Sequence, residues 1–165
     1  MLIGFAICLW TLPVMAQLDT GSINFISQAA LGGMTEINAG KLAATKGQSA
    51  VVRAFANRMI IDHTKINGEL AQLAAQKNLK LPETTAMNPA LDQTSGAAFD
   101  RVYVKMMIKD HEQDVAAFEN AAAKLPDTSV RTFARRTLSI LKDHLAHIRA
   151  IAARMHMDTV TTQSL

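Results

Sequence analysis

Apolar side chains recur at alternating steps of four and three along four long segments, the spacing that places them on one face of an α-helix. The segments span residues 22–46, 49–78, 94–125 and 127–157. They are rich in Ala, Leu, Lys, Gln and Met, which favour helices. No stretch of the sequence alternates apolar and polar residues between turns, as a β-strand would. We therefore predict an all-α protein with four long helices, and Ser22 and Asp127 as N-caps of the first and last.

The links between these helices differ in length, and this predicts the arrangement of the helices. The links at Gly47 and Pro126 are short, so the first two helices and the last two should each form an antiparallel hairpin. Similar sequences open the second helix of each hairpin, VRAFANR at 52–58 and VRTFARR at 130–136. The middle link is longer and contains two prolines, and we expect it to cross one end of the bundle. The prediction is an antiparallel, up-down four-helix bundle.

A histidine interrupts the apolar series of each of the last three helices. These residues are His63, His111 and His144, and each directly follows an aspartate. In the first helix the equivalent series contains Glu36 among small residues. All four positions lie near the middle of their helices, and mid-height positions meet in one layer of an antiparallel bundle. We predict a central layer formed by Glu36 and the three histidines.

Two interpretations of this layer are open from the sequence. Imidazole and carboxylate groups suit zinc, copper or iron, so the four residues are candidate ligands of one divalent transition metal ion. Alternatively, the protein is an envelope stress or protein-interaction module in which the same groups form a metal-free hydrogen-bonded layer that fixes the register of the helices. A third hypothesis is an enzyme that uses the histidines for proton transfer.

Further polar residues are predicted to lie around this layer and to orient the histidine rings. Asp62 falls at the edge of the apolar face, where Arg58 and Lys65 are its expected partners. Asp110 should be more buried than Asp62. Asp143 precedes His147 by four residues and is expected to pair with it. The predicted outer residues of the site are Asp62, Asp110, Tyr103, Asp143 and His147.

The two ends of the chain differ in composition from the helices. Residues 1–16 form an apolar run that ends in Val-Met-Ala, which is typical of a secretory signal peptide cleaved after Ala16. The domain would then span 17–157, followed by a disordered polar tail at 158–165. Cleavage would remove Cys8, the one cysteine, so the exported protein would fold without disulfides. We expect a periplasmic or extracellular location and no transmembrane span in the mature chain.

Net charge and aromatic content limit the classes of partner. The net charge is only +3, and the chain contains one Trp and one Tyr. Nucleic-acid binding by aromatic stacking is therefore not expected. The remaining partner hypotheses are another envelope protein or a second copy of the chain.

Four stretches resemble the ferritin-like extracytoplasmic family catalogued as domain of unknown function 4142. They are AALGGMTEINAGKLAATK, VRAFANRMIIDHTKINGEL, SGAAFDRVYVKMMIKDHEQDVAAFE and VRTFARRTLSILKDHL, and the resemblance covers about residues 24 to 149. It implies an export signal and a ferritin-like four-helix bundle, but no reaction. The residues that match the family's motifs are Glu36, Asp62, His63, Asp100, Tyr103, Asp110, His111 and His144.

The ferritin-like fold does not by itself imply di-iron chemistry. Di-iron bundles use Glu-x-x-His motifs on two helices, and this sequence contains none. One central glutamate and several histidines fit a mononuclear, histidine-rich site better. We therefore favour a metal-binding protein over an enzyme. We also expect Asp100 and Tyr103 to tie the third helix to a neighbouring loop.

Overall fold

The computed structural model describes residues 18–83 and 89–157, and these residues form helices without any β-strand. Four long helices confirm the predicted all-α class, and a one-turn helix in the middle link was not predicted. The predicted signal peptide and polar tail lie outside the described residues. In that described part, no helix is both long and apolar enough to cross a membrane. The helices are α1 (Thr20–Lys46), α2 (Ala50–Gln76), α3 (Pro89–Asp92), α4 (Gly96–Lys124) and α5 (Thr128–Arg154).

Hydrogen bonds at the two ends of the bundle define its topology. The Asp100 carboxylate, near the start of α4, accepts from the backbone N–H groups of Gln48 and Ser49, just before α2, at 2.9 and 2.8 Å. At the other end, Lys77 Nζ after α2 donates to Asp127 Oδ2 before α5 at 2.6 Å. Helices α2 and α4 therefore start at the same end of the bundle and run parallel.

The two predicted hairpins, α1–α2 and α4–α5, are both present, and α1 packs on α4 while α2 packs on α5. Each neighbouring pair is consequently antiparallel, and the parallel pair α2 and α4 lies on a diagonal. The middle link must therefore return along the whole length of the bundle. Our prediction that it crosses one end was wrong, because link length alone does not show which end the next helix starts from.

Polar side chains accept hydrogen bonds from backbone N–H groups at the start of three of the long helices. At one of these starts the side chain belongs to a different helix. Asp127 caps α5 as predicted, since its carboxylate accepts from the backbone N–H groups of Ser129 and Val130. The cap of α1 is Asp19, which accepts from the N–H of Ser22, so the helix starts earlier than predicted. Ser49 makes no side-chain capping bond. Asp100 of α4 supplies acceptors to this turn and so locks the two hairpins together.

The apolar core consists of two clusters with a polar layer between them. The first cluster lies towards the α1–α2 turn and includes Phe55, Tyr103 and Met107. The second lies towards the opposite end and is defined by the residues Ile26, Ile66, Leu70, Phe118 and Leu141, among others. Helices α1 and α2 approach closely at Gly40, where an added Cβ would lie 3.1 Å from the Ala56 carbonyl oxygen. The small residues of α1 therefore allow the two helices to pack closely at this point.

Candidate metal centre

Three histidine side chains converge in the layer between the two apolar clusters. His63 is 2% exposed, and His111 and His144 are fully buried. Their ring centroids are 5.4 to 5.7 Å apart. One ring nitrogen from each histidine lies within 4.8 Å of the corresponding nitrogens of the other two. The sequence-predicted convergence of α2, α4 and α5 is therefore present in the structure.

The tautomer of His111 follows from its backbone contact. His111 Nδ1 lies 2.9 Å from the Met107 carbonyl oxygen, one turn earlier in α4. A carbonyl oxygen only accepts, so Nδ1 carries the hydrogen and donates it. The other ring nitrogen, Nε2, is left with its lone pair, and it faces His144.

The tautomer of His144 follows in the same way from Asp62. His144 Nε2 lies 2.8 Å from Asp62 Oδ2, so this nitrogen donates to the carboxylate and Nδ1 keeps a lone pair. His144 Nδ1 is 3.4 Å from His111 Nε2. Two lone pairs at this distance repel each other unless a proton or a cation lies between them.

The third histidine completes the set. His63 Nδ1 lies 2.9 Å from Glu36 Oε2 and carries a hydrogen towards that carboxylate, so Nε2 offers a lone pair when the ring is neutral. His63 Nε2 is buried and has no hydrogen-bond partner among the described residues. Three nitrogens can therefore offer lone pairs to one ion, namely His111 Nε2, His144 Nδ1 and, once its ring has lost a proton, His63 Nε2. Three nitrogens around one ion at roughly 2.0–2.1 Å would be about 3.4–3.6 Å apart, which the His111–His144 distance matches.

Glu36 lies on the opposite side of the rings from these three nitrogens. Its two carboxylate oxygens are 2.9 Å from His63 Nδ1 and 3.2 Å from His111 Nδ1, and neither makes a well-directed hydrogen bond. The Glu36–His63 contact is therefore an ion pair when His63 is protonated. The sequence placed Glu36 among the metal ligands, but the structure brings it to the layer as a neighbour of the histidines and outside the converging group.

Burial and mutual charge set the protonation of the layer. Burial alone would raise the pKa of Glu36, but His63 and the other histidines outweigh it and hold that pKa below its usual value. Burial lowers the pKa of His63, whereas Glu36 raises it by more, so that the pKa of His63 is raised overall. Burial lowers the pKa of His111, and burial lowers the pKa of His144 to about 4 despite its bond to Asp62. At neutral pH, His111 and His144 are therefore neutral imidazoles, the form that binds metal.

The predicted outer residues Asp62, Asp143 and His147 occupy different positions around the layer. Asp62 contacts Arg58 as predicted, but its histidine partner is His144 on α5 and not the adjacent His63. Asp143 was predicted to pair with His147; instead it accepts from Arg58 Nη2 at 2.6 Å. His147 is exposed and packs edge-on against the Phe55 ring. Asp143 pairs with Arg58 and not with His147 because the arginine carries a permanent charge and extends from α2 to α5.

Asp110 and Tyr103 lie near the layer without bonding to a histidine in the described part of the chain. Asp110 is half-buried, and burial together with Glu36 raises its pKa to about 6. The Tyr103 hydroxyl is buried and has no hydrogen-bond partner within residues 18–83 and 89–157, so the predicted tie to a loop is seen for Asp100 and not for Tyr103. Burial raises the pKa of Tyr103 above its usual value.

Asp114 is a neighbour of the layer that the sequence did not single out as a site residue. Burial and the charge of Glu36 raise the pKa of Asp114 to about 7. The side chain packs against α1, where a Cβ on Gly32 would lie 3.9 Å from Asp114 Oδ1. The offset between the similar segments 52–58 and 130–136 also relates Glu36 to Asp114, and this was the signal available in the sequence.

The family of the chain is now evident. The model of the DUF4142 family, a domain of unknown function, matches residues 13–151. The chain belongs to this family. The match confirms the resemblance seen in the sequence motifs, and no curated protein matches this DUF4142 chain by sequence.

Solved structures show the same fold at low identity. A DUF305 fragment from Deinococcus radiodurans has a TM-score of 0.75 and 12% identity, and the match covers 84% of this chain and 99% of the fragment. CopM in its Cu(I)-bound form has a TM-score of 0.71 and 16% identity, covering 81% of this chain and 96% of CopM. The match to a two-domain Anabaena variabilis protein with a ferritin-like domain has a TM-score of 0.65 and 13% identity, covering 90% of this chain and 41% of that protein. These matches confirm the ferritin-like fold of the DUF4142 chain.

Proposed function

We propose that this DUF4142 protein is exported and binds one copper(I) ion through His63 Nε2, His111 Nε2 and His144 Nδ1, buffering or storing copper in the cell envelope. The observation that carries the proposal is the convergence of three buried ring nitrogens, one from each histidine. The opposite nitrogens of His111 and His144 donate to the Met107 carbonyl and to Asp62, and that of His63 faces Glu36, so the rings are oriented before an ion arrives. Such preorganisation favours a ligand set over a general polar layer.

Charge and coordination number support copper(I) over zinc. Glu36 is the one carboxylate buried in the layer, and the charge of Asp62 is offset by Arg58. A monovalent ion together with Glu36 leaves no net buried charge, whereas a divalent ion leaves one uncompensated positive charge. Zinc sites have a fourth ligand from protein or water, while these three nitrogens lie in an enclosed layer that suits a three-coordinate ion. The fold shared with CopM in its Cu(I)-bound form adds support.

A metal-free polar layer is the second candidate, and the Glu36–His63 ion pair favours it. Under that hypothesis the pair neutralises itself and serves only to fix helix register. It gives no role to the unpartnered His63 Nε2 or to the close approach of His111 Nε2 and His144 Nδ1. The proton-transfer hypothesis has less support, because the histidines are enclosed and offer a substrate no direct contact.

Anaerobic titration against a competing copper(I) chelator tests the proposed function. We expect one equivalent bound by the wild type, and X-ray absorption should show three nitrogen ligands at about 2.0 Å. His63→Ala, His111→Ala and His144→Ala should each lose tight binding while circular dichroism reports an intact helical fold. His147→Ala is the matched control, because His147 lies on the same helix as His144 but outside the cluster.

Two outcomes would contradict the proposal. Absence of stoichiometric copper(I) in the folded wild type would favour the metal-free layer, and equal binding of zinc would refute the charge argument. Export is tested separately by sequencing the N-terminus of protein from the cell envelope fraction. A mature chain that starts at Gln17 is expected, and retention in the cytoplasm would contradict that part of the proposal.

A further inference from the structure

One of the three groups that anchor the histidine rings is open to solvent. Glu36 and the Met107 carbonyl belong to residues with at most 2% exposure. The third anchor, Asp62, has a side chain that is 29% exposed. Its Oδ2 atom nevertheless bonds directly to His144, which is fully buried. A continuous polar contact therefore runs from the surface to the cluster through Asp62.

Asp62 lies in a groove between α2 and α5 of about 580 Å³. The groove is also lined by Arg58 and Asp143, on opposite helices. Arg58 Nη2 donates to Asp143 Oδ2 at 2.6 Å, and Arg58 Nε lies 3.3 Å from Asp62 Oδ2. A single arginine thus bridges the two helices directly over the residue that contacts His144.

The Arg58 bridge restrains the part of α5 that carries the ligand. Asp143 directly precedes His144, so the ion pair with Arg58 holds this turn of α5 against α2. Arg58 is 38% exposed and Asp143 66% exposed, which makes their pairing weak and sensitive to salt. A weak surface pair opens often, and each opening would uncover Asp62 and loosen the contact to His144.

Two carboxylates of α4 also lie near the layer. Asp110 and Asp114 are half-buried, but neither hydrogen-bonds to a cluster histidine in the described part of the chain. Asp114 lies against α1, where a Cβ on Gly32 would be 3.9 Å from its Oδ1.

We propose that the α2–α5 groove is the route by which ions and small reagents reach the histidine cluster, and that the Arg58–Asp143 ion pair is its latch. The extension to metal exchange rests on the proposed copper(I) site. During exchange, the exposed Asp62 carboxylate would release His144 and contact the passing cation. The latch sets how fast the site fills and empties.

The chain offers a matched control for the latch. Arg136 of α5 also bridges to α2, where its Nη2 donates to Glu69 Oε2 at 2.6 Å. This pair is of the same kind and joins the same two helices, but Arg136 and Glu69 each lie about two turns from Asp143 and Asp62, respectively, and neither lines the groove. Arg136→Ala therefore removes an equivalent ion pair without opening the proposed route.

The first measurement needs no metal. Acylation of metal-free protein by diethylpyrocarbonate, followed by peptide mass spectrometry, gives the reactivity of His144 relative to the exposed His147. Arg58→Ala should raise that relative rate roughly three- to tenfold, the factor expected for removal of one or two surface ion pairs, and Arg136→Ala should not. Added salt should accelerate the wild type and have less effect on Arg58→Ala.

The second measurement follows copper(I) transfer from loaded protein to an excess of chelator. Arg58→Ala should accelerate release by a similar roughly three- to tenfold factor, with Arg136→Ala as slow as the wild type. Equal acylation in wild type and Arg58→Ala, or equal acceleration by both arginine variants, would overturn the route. So would acceleration by Asp114→Ala alone, which would place access between α1 and α4. A wild type that binds no copper(I) would refute the proposed function, while acylation would still decide the route.

Discussion

Removing the Asp62 carboxylate should weaken copper(I) binding without changing any ligand. In the wild type, Asp62 Oδ2 accepts from His144 Nε2 at 2.8 Å and keeps His144 Nδ1 unprotonated towards the site. In Asp62→Ala that acceptor is lost, so the ring is free to move its hydrogen to Nδ1. An N–H group would then face the ion in part of the population, and this population must change tautomer before binding.

The size of the effect follows from the environment of Asp62. Loss of a hydrogen-bond partner behind a metal ligand typically lowers metal affinity about 10- to 100-fold. Asp62 is partly exposed, and the same oxygen also contacts Arg58, so water and the arginine screen its influence on His144. We expect a loss near the lower limit, about tenfold, or about 1.4 kcal/mol of binding free energy.

Competition with a copper(I) chelator measures the change, and nitrogen NMR of the histidine rings reports the tautomer directly. Asp143→Ala is the control, because Asp143 also pairs with Arg58 but contacts no cluster histidine. Its copper(I) affinity should stay within about twofold of the wild type, as for loss of an exposed ion pair. Equal losses in both variants, or an unchanged His144 tautomer in Asp62→Ala, would refute the reasoning.

The other predictions concern pH and the hydrogen bonds at the bundle ends. Because Glu36 outweighs burial and raises the pKa of His63, copper(I) must displace a proton below that pKa, and chelator titrations should show about a tenfold loss of affinity per pH unit there. The loss should steepen near the pKa of His144, about 4, and a pH-independent affinity would place the copper elsewhere. Asp100→Ala removes the carboxylate that accepts from two partly buried backbone N–H groups and should lower the unfolding free energy by about 3 kcal/mol in urea titrations, whereas an effect below about 1 kcal/mol would show that the turn finds other partners. Asp127→Ala should cost about 1 kcal/mol at pH 7 through loss of the α5 cap. Although partial burial opposes the effect, bonds to Lys77 and Ser129 hold the pKa of Asp127 below 3.8, so its contribution is complete above about pH 4 and shrinks as the pH falls. An equal stability difference at pH 2 and pH 7 would contradict that assignment.

The sequence predicted which residues meet in the layer because the spacing of apolar residues fixes the face of each helix. His63, His111 and His144 each replace an apolar residue in such a series, and mid-height positions share a layer in any antiparallel arrangement of neighbours. The same reasoning brought Glu36 to the layer. Each successive residue is rotated by a fixed angle about the helix axis. The face on which a side chain lies can therefore be worked out from its position in the sequence.

Ring orientation and helix pairing were not predictable in that way. Which atom of His144 faces the site depends on Asp62, which lies on a different helix, and His111 takes its acceptor from a backbone carbonyl that leaves no pattern in the sequence. The parallel direction of α2 and α4 is shown by the hydrogen bonds that Asp100 accepts from the α1–α2 turn. These contacts arise between distant parts of the chain, so the spacing of residues within one helix carries no information about them.

The position of the layer between two apolar clusters connects metal binding to the whole bundle. The cluster near Phe55 and the cluster near Phe118 are separated by the histidines and Glu36, so the middle of the core depends on polar contacts from α1, α2, α4 and α5. Without an ion, the buried Glu36–His63 pair must offset its own desolvation, and such pairs add little net stability. An ion bound by three helices would replace the repulsion between His111 Nε2 and His144 Nδ1 by attraction and stabilise the folded state in proportion to its affinity. The polar layer thus leaves the centre of the metal-free core the least stable part of the bundle. An ion bound in this layer would for the same reason stabilise all four long helices.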